Sequence, residues 1–161
     1  MFHGPELAAL LADHGITHVV TVPDSTIGQW DDAIAAAGIG IVRVCREGEA
    51  WAVAGGLHLG GSTPLVLIQC TGLFESGDAL RNMLHEWRLP IHAIVGYRSF
   101  LSQETLPGDT SLVFTEPILE AWNLHVRLIV DASQLAEIGE HLRACRDAGA
   151  PGVTLLAEGK A

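Results

Sequence analysis

The sequence predicts a doubly wound α/β fold, with one mostly parallel sheet of about six strands and helices on both faces. Segments of strand character alternate with segments of helical periodicity along the whole chain, which is typical of βαβ units. The strand segments are almost continuously apolar, as in PLVLIQ at 64–69, which indicates a sheet buried on both faces. The length of 161 residues is that of one domain, so we predict a single domain over 1–161.

The first half of the sequence supplies three strands and the helices between them. Pro5 stands where the first turn of a helix tolerates proline, and Gly15 and Gly38 stand where two predicted helices end. The strand segments are rich in β-branched residues, which favour extended backbone. In chain order we predict a helix at 5–14, a strand at 17–22, a helix at 27–37, a strand at 39–45, a helix at 47–59 and a strand at 64–69.

The second half continues the alternation with longer interruptions. The glycine, serine and threonine residues of 70–77 favour a loop, and Pro107-Gly108-Asp109 is typical of a turn. In chain order we predict a loop at 70–77, a helix at 78–87, a strand at 90–96, an irregular segment at 97–112, a helix at 116–122, a strand at 125–130, a helix at 133–148 and a strand at 153–156.

Composition excludes several classes of protein. The net charge is −10 and Lys160 is the only lysine, so the basic face that nucleic acids require is absent. No segment approaches the roughly 18 apolar residues of a membrane-spanning helix. The N-terminus lacks the basic start of a signal peptide, and the three cysteines are scattered, so we expect a cytoplasmic protein with reduced thiols. We assign no metal site from the histidines and cysteines.

Polar residues follow the predicted strands at their carboxyl ends. In an open parallel sheet these ends share one edge, and ligands bind beyond it. The loops after the first four strands therefore form a candidate site. Its members are Asp24, Ser25, Arg46, Glu47, Gln69, Thr71, Gly72 and Arg98.

Glu47 opens the third predicted helix, and the residues alone leave two interpretations of it. A carboxylate in the first turn of a helix is favoured by the helix dipole and could simply pair with Arg46. The helix behind it, however, contains the adjacent Gly55 and Gly56, and each glycine costs roughly 1 kcal/mol relative to alanine in a helix. Close packing against the sheet or a second subunit would offset that cost, which favours a functional site.

The candidate loops together resemble the pyrimidine-binding domain of thiamin-diphosphate enzymes, in particular the sulfopyruvate and phosphonopyruvate decarboxylases. The specific parts are Arg46-Glu47-Gly48-Glu49-Ala50 with its alanine- and glycine-rich helix, and Gln69-Cys70-Thr71-Gly72-Leu73 after an apolar strand. The segments Val22-Pro23-Asp24-Ser25 and Val95-Gly96-Tyr97-Arg98 resemble further loops of that family. The resemblance extends over most of the chain and implies the same α/β fold.

For the cofactor, the resemblance implies four binding residues. Glu47 is expected to hydrogen-bond N1′ of the aminopyrimidine, which activates thiamin diphosphate for attack on a 2-oxo acid. This makes Glu47 a general acid/base with a definite partner. Gln69, Thr71 and Gly72 are expected to line the pyrimidine or substrate pocket.

For the substrate, the resemblance implies a proton relay by Asp24 and binding by Arg98 and Ser25. From the residues alone, Asp24 could instead cap the next helix in an Asx turn, and Arg98 could form a surface ion pair. The family usually has a small residue and an amide where this chain has Phe74 and Glu75. A carboxylate there would repel a sulfonate or phosphonate, so the identity of the 2-oxo acid stays open.

A second half-site is implied by the family and missing from the sequence. The cofactor's diphosphate and Mg²⁺ are held there by a Gly-Asp-Gly segment and a downstream Asn-Asn, and neither occurs here. We therefore expect a diphosphate-binding β subunit on a separate chain, and the 48% hydrophobic content agrees with a large permanent interface. The predicted protein is the α subunit of a heteromeric thiamin-diphosphate-dependent 2-oxo acid decarboxylase. A carboligase subunit and a non-catalytic flavodoxin-like binding or regulatory module are the alternatives.

Overall fold

The structure, a computed structural model, describes residues 2–159. Numbered in chain order, its strands are β1 (His18–Thr21), β2 (Gly40–Arg43), β3 (Pro64–Gln69), β4 (His92–Tyr97), β5 (His125–Ile129) and β6 (Gly152–Ala157). Its α-helices are α1 (Gly4–Asp13), α2 (Asp31–Ala36), α3 (Glu47–Leu59), α4 (Cys70–Arg81), α5 (Thr110–Ala121) and α6 (Leu135–Asp147). Shorter helical turns lie at Ile27–Trp30, Asn82–Glu86, Phe100–Ser102 and Ala132–Gln134.

The six strands form one sheet in the order β2-β1-β3-β4-β6-β5, and every neighbouring pair is parallel. The chain moves outward from β1 to β2 and then returns across β1 to β3. The direction of winding therefore reverses between β1 and β3, and such a reversal opens a crevice at the carboxyl ends of the strands. This topology confirms the predicted doubly wound fold.

Two hydrophobic cores lie on the two faces of the sheet. Helices α3, α4 and α5 cover one core, which contains the fully buried Trp51 of α3 and Leu119 of α5. Helices α1, α2 and α6 cover the other, which contains Leu11 and Ile138. Strands β4 and β6 are buried at every position, as expected for parallel strands covered on both faces.

Most predicted elements are confirmed, and α3 and β3 match their predicted bounds residue for residue. The other strands lie within two residues of their predicted ends. The predicted helix at 27–37 is a 3₁₀ turn at Ile27–Trp30 followed by α2. Within the described part of the chain, we find no helix with the length and hydrophobicity to cross a membrane.

The predicted loop at 70–77 is wrong, because α4 begins at Cys70 directly after β3. Its serine and glycine residues favour a loop when taken alone. In the structure they make tertiary contacts instead, since Ser76 accepts a 2.7 Å hydrogen bond from the buried indole of Trp51. The positive φ of 24° at Gly77 marks a kink inside α4.

The predicted start of the helix at 116–122 is also wrong, because α5 begins at Thr110. Pro117 is compatible with the first turn of a helix starting nearby, but it lies inside α5. Asp109 is the actual N-cap, and its carboxylate accepts a 2.9 Å hydrogen bond from the Ser111 backbone N–H. The turn chemistry of Pro107-Gly108-Asp109 concealed this cap in the sequence.

Candidate functional site

The carboxyl edge of the sheet brings together the loops that the sequence singled out. Asp24 follows β1, Glu47 follows β2, Gln69 ends β3 and Arg98 follows β4. A fifth residue, Glu158, follows β6 and joins them. The edge therefore presents three carboxylates, an amide and a guanidinium around the crevice beside β1 and β3.

Glu47 is the first residue of α3, and its half-buried side chain packs directly over Gly72 in the first turn of α4. A Cβ atom added at Gly72 would lie 2.6 Å from Oε1 and 2.8 Å from Cδ of Glu47. The absence of a side chain at Gly72 is therefore what lets this carboxyl group reach its position. No group within residues 2–159 donates a hydrogen bond to the Glu47 carboxylate, which leaves its acceptor oxygens available to a ligand.

Arg46 does not pair with Glu47 but with Glu75 of α4. The Arg46 Nε donates to Glu75 Oε1 at 2.8 Å, and the Gly48 backbone N–H donates to Glu75 Oε2 at 2.7 Å. The Gly48 hydrogen bond and then the Arg46 guanidinium hold the pKa of Glu75 below its ordinary value. Glu75 thus satisfies the amino end of α3, a role that α3 would otherwise leave to its own N-cap.

Gln69 links two of the carboxylates. Its amide Nε2 donates to Glu158 at 3.3 and 3.2 Å and to Asp24 Oδ1 at 3.4 Å. Its Oε1 is buried and accepts no hydrogen bond within the described residues. Because buried polar atoms are nearly always paired, this oxygen is a candidate acceptor for a bound ligand.

Glu158 was not among the predicted site residues, although the rule that ligands bind beyond the carboxyl ends of parallel strands applies to it. It follows an apolar strand at its carboxyl end, and it lies over Gly96, the position on β4 next to Gln69. Burial raises the pKa of Glu158 above its ordinary value, the Gln69 hydrogen bond opposes the rise, and the Asp24 carboxylate adds to it. A carboxyl group of this kind can carry a proton closer to neutral pH than an exposed one.

Asp24 forms the cap that its sequence position allowed, and it also contacts Gln69. Its Oδ1 accepts hydrogen bonds from the backbone N–H groups of Thr26 at 2.7 Å and Ile27 at 2.9 Å, which is an Asx turn leading into the 3₁₀ segment. The same oxygen faces the Gln69 amide at 3.4 Å. The cap therefore fixes Asp24 in the cluster with Gln69 and Glu158.

The remaining predicted residues are exposed at the carboxyl edge of the sheet. Ser25 and Thr71 are exposed, Thr71 in the first turn of α4. Arg98 is exposed and lies close enough to act electrostatically on the carboxylates of Asp109 and Glu158. Beside the cluster is a cleft of about 490 Å³. Its lining includes Ser25, Trp30, Leu101 and Glu158.

A comparison with protein families gives one match over most of the chain. Residues 4–115 match the family described as thiamine pyrophosphate enzyme, N-terminal TPP binding domain. The match includes Asp24, Glu47, Gln69 and Arg98, and it ends before Glu158.

Two curated relatives are decarboxylases by name. The chain is 36% identical over 91 residues to sulfopyruvate decarboxylase subunit alpha of Methanothermobacter thermautotrophicus, covering 55% of this chain and 54% of that protein. It is 29% identical over 148 residues to phosphonopyruvate decarboxylase of Streptomyces viridochromogenes, covering 91% of this chain and 37% of that protein. The chain thus spans about half or less of the length of these relatives.

Solved structures share the fold at low sequence identity. One is 2-oxoglutarate:ferredoxin oxidoreductase from Magnetococcus marinus, with a TM-score of 0.73 and 15% identity over 99% of this chain and 29% of that chain. Another is benzoylformate decarboxylase from Polynucleobacter necessarius, with a TM-score of 0.71 and 18% identity over 98% of this chain and 30% of that chain.

Proposed function

The chain belongs to the thiamine pyrophosphate enzymes through their N-terminal TPP binding domain, and from this premise we propose that it is the pyrimidine-binding α subunit of a thiamin-diphosphate-dependent 2-oxo acid decarboxylase. One observation carries the proposal. The Glu47 carboxyl group lies half-buried at the start of α3 against Gly72, and no hydrogen-bond donor within residues 2–159 occupies it.

The residues at this edge fit the aminopyrimidine of the cofactor. Glu47 offers a carboxyl oxygen, and the buried Oε1 of Gln69 offers an acceptor without a partner in the described structure. Gly72 and Thr71 form the adjacent first turn of α4. When bound, the cofactor supplies a thiazolium ring that accepts the electron pair released as CO2 leaves.

Glu47 holds the proton that this chemistry requires. Its carboxyl group would share a proton with N1′ of a bound aminopyrimidine and so would set the protonation state of the ring's amino group. General acid–base groups contribute about 10²–10⁴-fold to turnover when they are correctly placed. Gly72 supports this group because the Glu47 side chain packs directly over the space that a Cβ atom at Gly72 would fill.

The substrate side of the site is assigned to the cluster beside Gln69. Asp24 and Glu158 relay and donate the proton that the product receives, since the raised pKa of Glu158 suits a proton donor. The exposed Arg98 and Ser25 bind the carboxylate or other anionic group of the 2-oxo acid. The charge of Glu75 is already neutralised by Arg46, which removes much of the repulsion expected between Glu75 and an anionic substrate.

A second chain completes the proposed enzyme. The name "subunit alpha" of the sulfopyruvate decarboxylase relative supports a partner, and we assign the diphosphate and Mg²⁺ to a β subunit. Exposed apolar side chains support a large interface. Leu59, Trp87, Val113 and Phe114 are each more than half exposed.

The test is reconstitution of the chain with its β subunit, thiamin diphosphate and Mg²⁺, followed by a screen of 2-oxo acids for CO2 release. The isolated chain is expected to be inactive. Glu47→Gln is expected to lower turnover of the complex by about 10²–10⁴-fold without preventing its assembly.

Glu49→Gln is the matched control for this test. It makes the same change of charge in the same turn of α3, where the Glu49 carboxylate accepts a 3.1 Å hydrogen bond from the Cys45 backbone N–H. Its turnover should stay close to wild type. Near-normal turnover of Glu47→Gln would remove the assignment of Glu47, and CO2 release by the chain alone would remove the requirement for a partner.

A further inference from the structure

A second group of reactive side chains lies at the opposite edge of the sheet from Glu47. His92 begins β4, and His141 and Cys145 lie four residues apart on α6. One ring nitrogen of each histidine and the Cys145 Sγ lie within 4.8 Å of one another. All three residues are buried, with at most 8% of their surface exposed.

Thr154 of β6 contacts one ring nitrogen of each histidine and so orients both rings. Its Oγ1 lies 2.9 Å from His92 Nε2 and 3.2 Å from His141 Nδ1. A hydroxyl oxygen can accept from both rings, and the two remaining nitrogens, His92 Nδ1 and His141 Nε2, then carry lone pairs. Histidine ligands of metals are held in this way, with the second ring nitrogen donating to a neighbouring group.

The free nitrogen of His92 has no partner of its own. His92 is 6% exposed, and its Nδ1 is buried without a hydrogen bond to any described residue. Buried polar atoms without partners are rare, and an absent ion is one of the usual reasons.

Gly152 makes room at the centre of the group. A Cβ atom there would lie 2.5 Å from Cys145 Sγ and 2.8 Å from His92 Nδ1, so both atoms converge over this glycine. A surface depression lined by His125, His141 and Cys145 opens beside them and gives access to solvent. Two arginines act electrostatically on these histidines: Arg127, which pairs with Glu137 at 3.4 Å, and Arg146, which donates to the His14 carbonyl at 2.8 Å.

We propose that His92, His141 and Cys145 bind a divalent transition-metal ion of the zinc type, with a fourth position open to the depression. Two imidazoles and one thiolate suit Zn²⁺, and ligands at 2.0–2.3 Å require these side chains to close by roughly 1 Å. Their softness excludes Mg²⁺, which prefers oxygen ligands. The site lies at the amino ends of β4 and β6, so it is separate from the proposed cofactor site.

The test uses the full chain, purified without a histidine tag, treated with chelator and then titrated with Zn²⁺ or Co²⁺ alone. One equivalent of metal per chain should be retained after gel filtration, and Co²⁺ should give a thiolate-to-cobalt charge-transfer band. Cys145→Ser should abolish that band and weaken Zn²⁺ binding by more than about 100-fold, since even supporting residues of metal sites contribute 10–100-fold. Cys45→Ser, which changes an exposed thiol elsewhere, should keep both properties.

X-ray absorption on the wild-type Zn²⁺ form decides the question if Cys145→Ser does not fold. One sulfur at about 2.3 Å and two imidazole nitrogens at about 2.0–2.1 Å are expected. A shell of oxygen and nitrogen alone would overturn the proposal. So would a wild-type chain that retains less than stoichiometric Zn²⁺, or a Cys145→Ser variant with unchanged affinity.

Discussion

At the scale of single residues, the Glu47 side chain packs on the backbone of Gly72, although the two residues lie in different helices. The position that α3 gives to Glu47 is usable only because α4 presents no side chain at Gly72. A sequence shows that both residues are present but not that one packs on the other. The role of Gly72 is therefore steric: it is the surface against which a reactive carboxyl group is held.

We predict that Gly72→Ala displaces Glu47 and leaves the fold intact. The new Cβ would meet Cγ, Cδ and Oε1 of Glu47, and this flexible side chain can rotate away from its first dihedral angle, so the free energy of unfolding should change by less than about 1 kcal/mol. Turnover of the reconstituted enzyme should fall about as far as in Glu47→Gln, because the carboxyl group leaves its position. A crystal structure of the variant and the CO2 assay measure the two effects.

Gly56→Ala is the control for this change. Gly56 is an exposed helical residue of α3, and nothing lies within 4 Å of an added Cβ. Alanine there should raise the free energy of unfolding by about 0.5–1 kcal/mol, measured by urea denaturation. If Gly72→Ala kept both the Glu47 position and full turnover, the steric role of Gly72 would be wrong.

At the scale of elements, the junction of β3 and α4 positions the site. Because α4 starts at Cys70 without an intervening loop, its first turn faces Glu47 and its second turn places Glu75 against the start of α3. The Trp51 indole of α3 donates to the Ser76 hydroxyl of α4 and links the two helices, while that hydroxyl donates to the Gly72 carbonyl within α4. A longer loop would separate these contacts.

Helix α5 begins at the N-cap residue Asp109. The stability that this cap gives the protein should depend on pH. Asp109 accepts hydrogen bonds from the hydroxyls of Ser99 and Ser111, both at 2.7 Å, and from the Ser111 N–H. The Ser99 and Ser111 hydrogen bonds lower its pKa from 3.8 to about 2. A lowered pKa in the folded state stabilises the protein above the ordinary value, and this contribution is lost as pH falls through the folded value.

We therefore predict that Asp109→Asn reduces stability near neutral pH and that the difference from wild type disappears towards pH 2. Asparagine keeps one acceptor oxygen for the Ser111 N–H but removes the charge and the oxygen that accepts from Ser99, so the difference reports the ionised carboxylate. Urea unfolding at intervals between pH 6 and about pH 2 measures it. A difference that stays constant over this range would show that the charge of Asp109 contributes nothing.

At the scale of the whole molecule, one layer of the fold carries four of the exposed large apolar side chains of the described residues. Leu59 at the end of α3, Trp87 after the turn that follows α4, and Val113 and Phe114 of α5 all belong to the layer over one core. Several exposed large apolar side chains on one layer are typical of an interaction surface. This is the surface that we expect the β subunit to cover.

We predict that Phe114→Ser weakens binding of the β subunit by at least about ten-fold, as the loss of an aromatic anchor at an interface does. Its effect on the free energy of unfolding should stay within about 0.5 kcal/mol, because Phe114 is 51% exposed. Val126→Ser is the control, since Val126 is 41% exposed on β5 at the far edge of the sheet. Titration of each variant with the β subunit measures affinity, and equal affinities would contradict the assignment of this layer.

The sequence by itself determined the doubly wound fold, the bounds of α3 and β3, and the edge at which Asp24, Glu47 and Gln69 meet. These follow from local hydrophobic pattern and from one general property of parallel strands, that their carboxyl ends share an edge. Only the tertiary structure decided which side chains touch: Glu47 on Gly72, Glu75 on Arg46, Glu158 on Gln69, and the group of His92, His141 and Cys145. Such contacts depend on strand order and helix packing, which join residues far apart in the chain and leave no periodic signal in it.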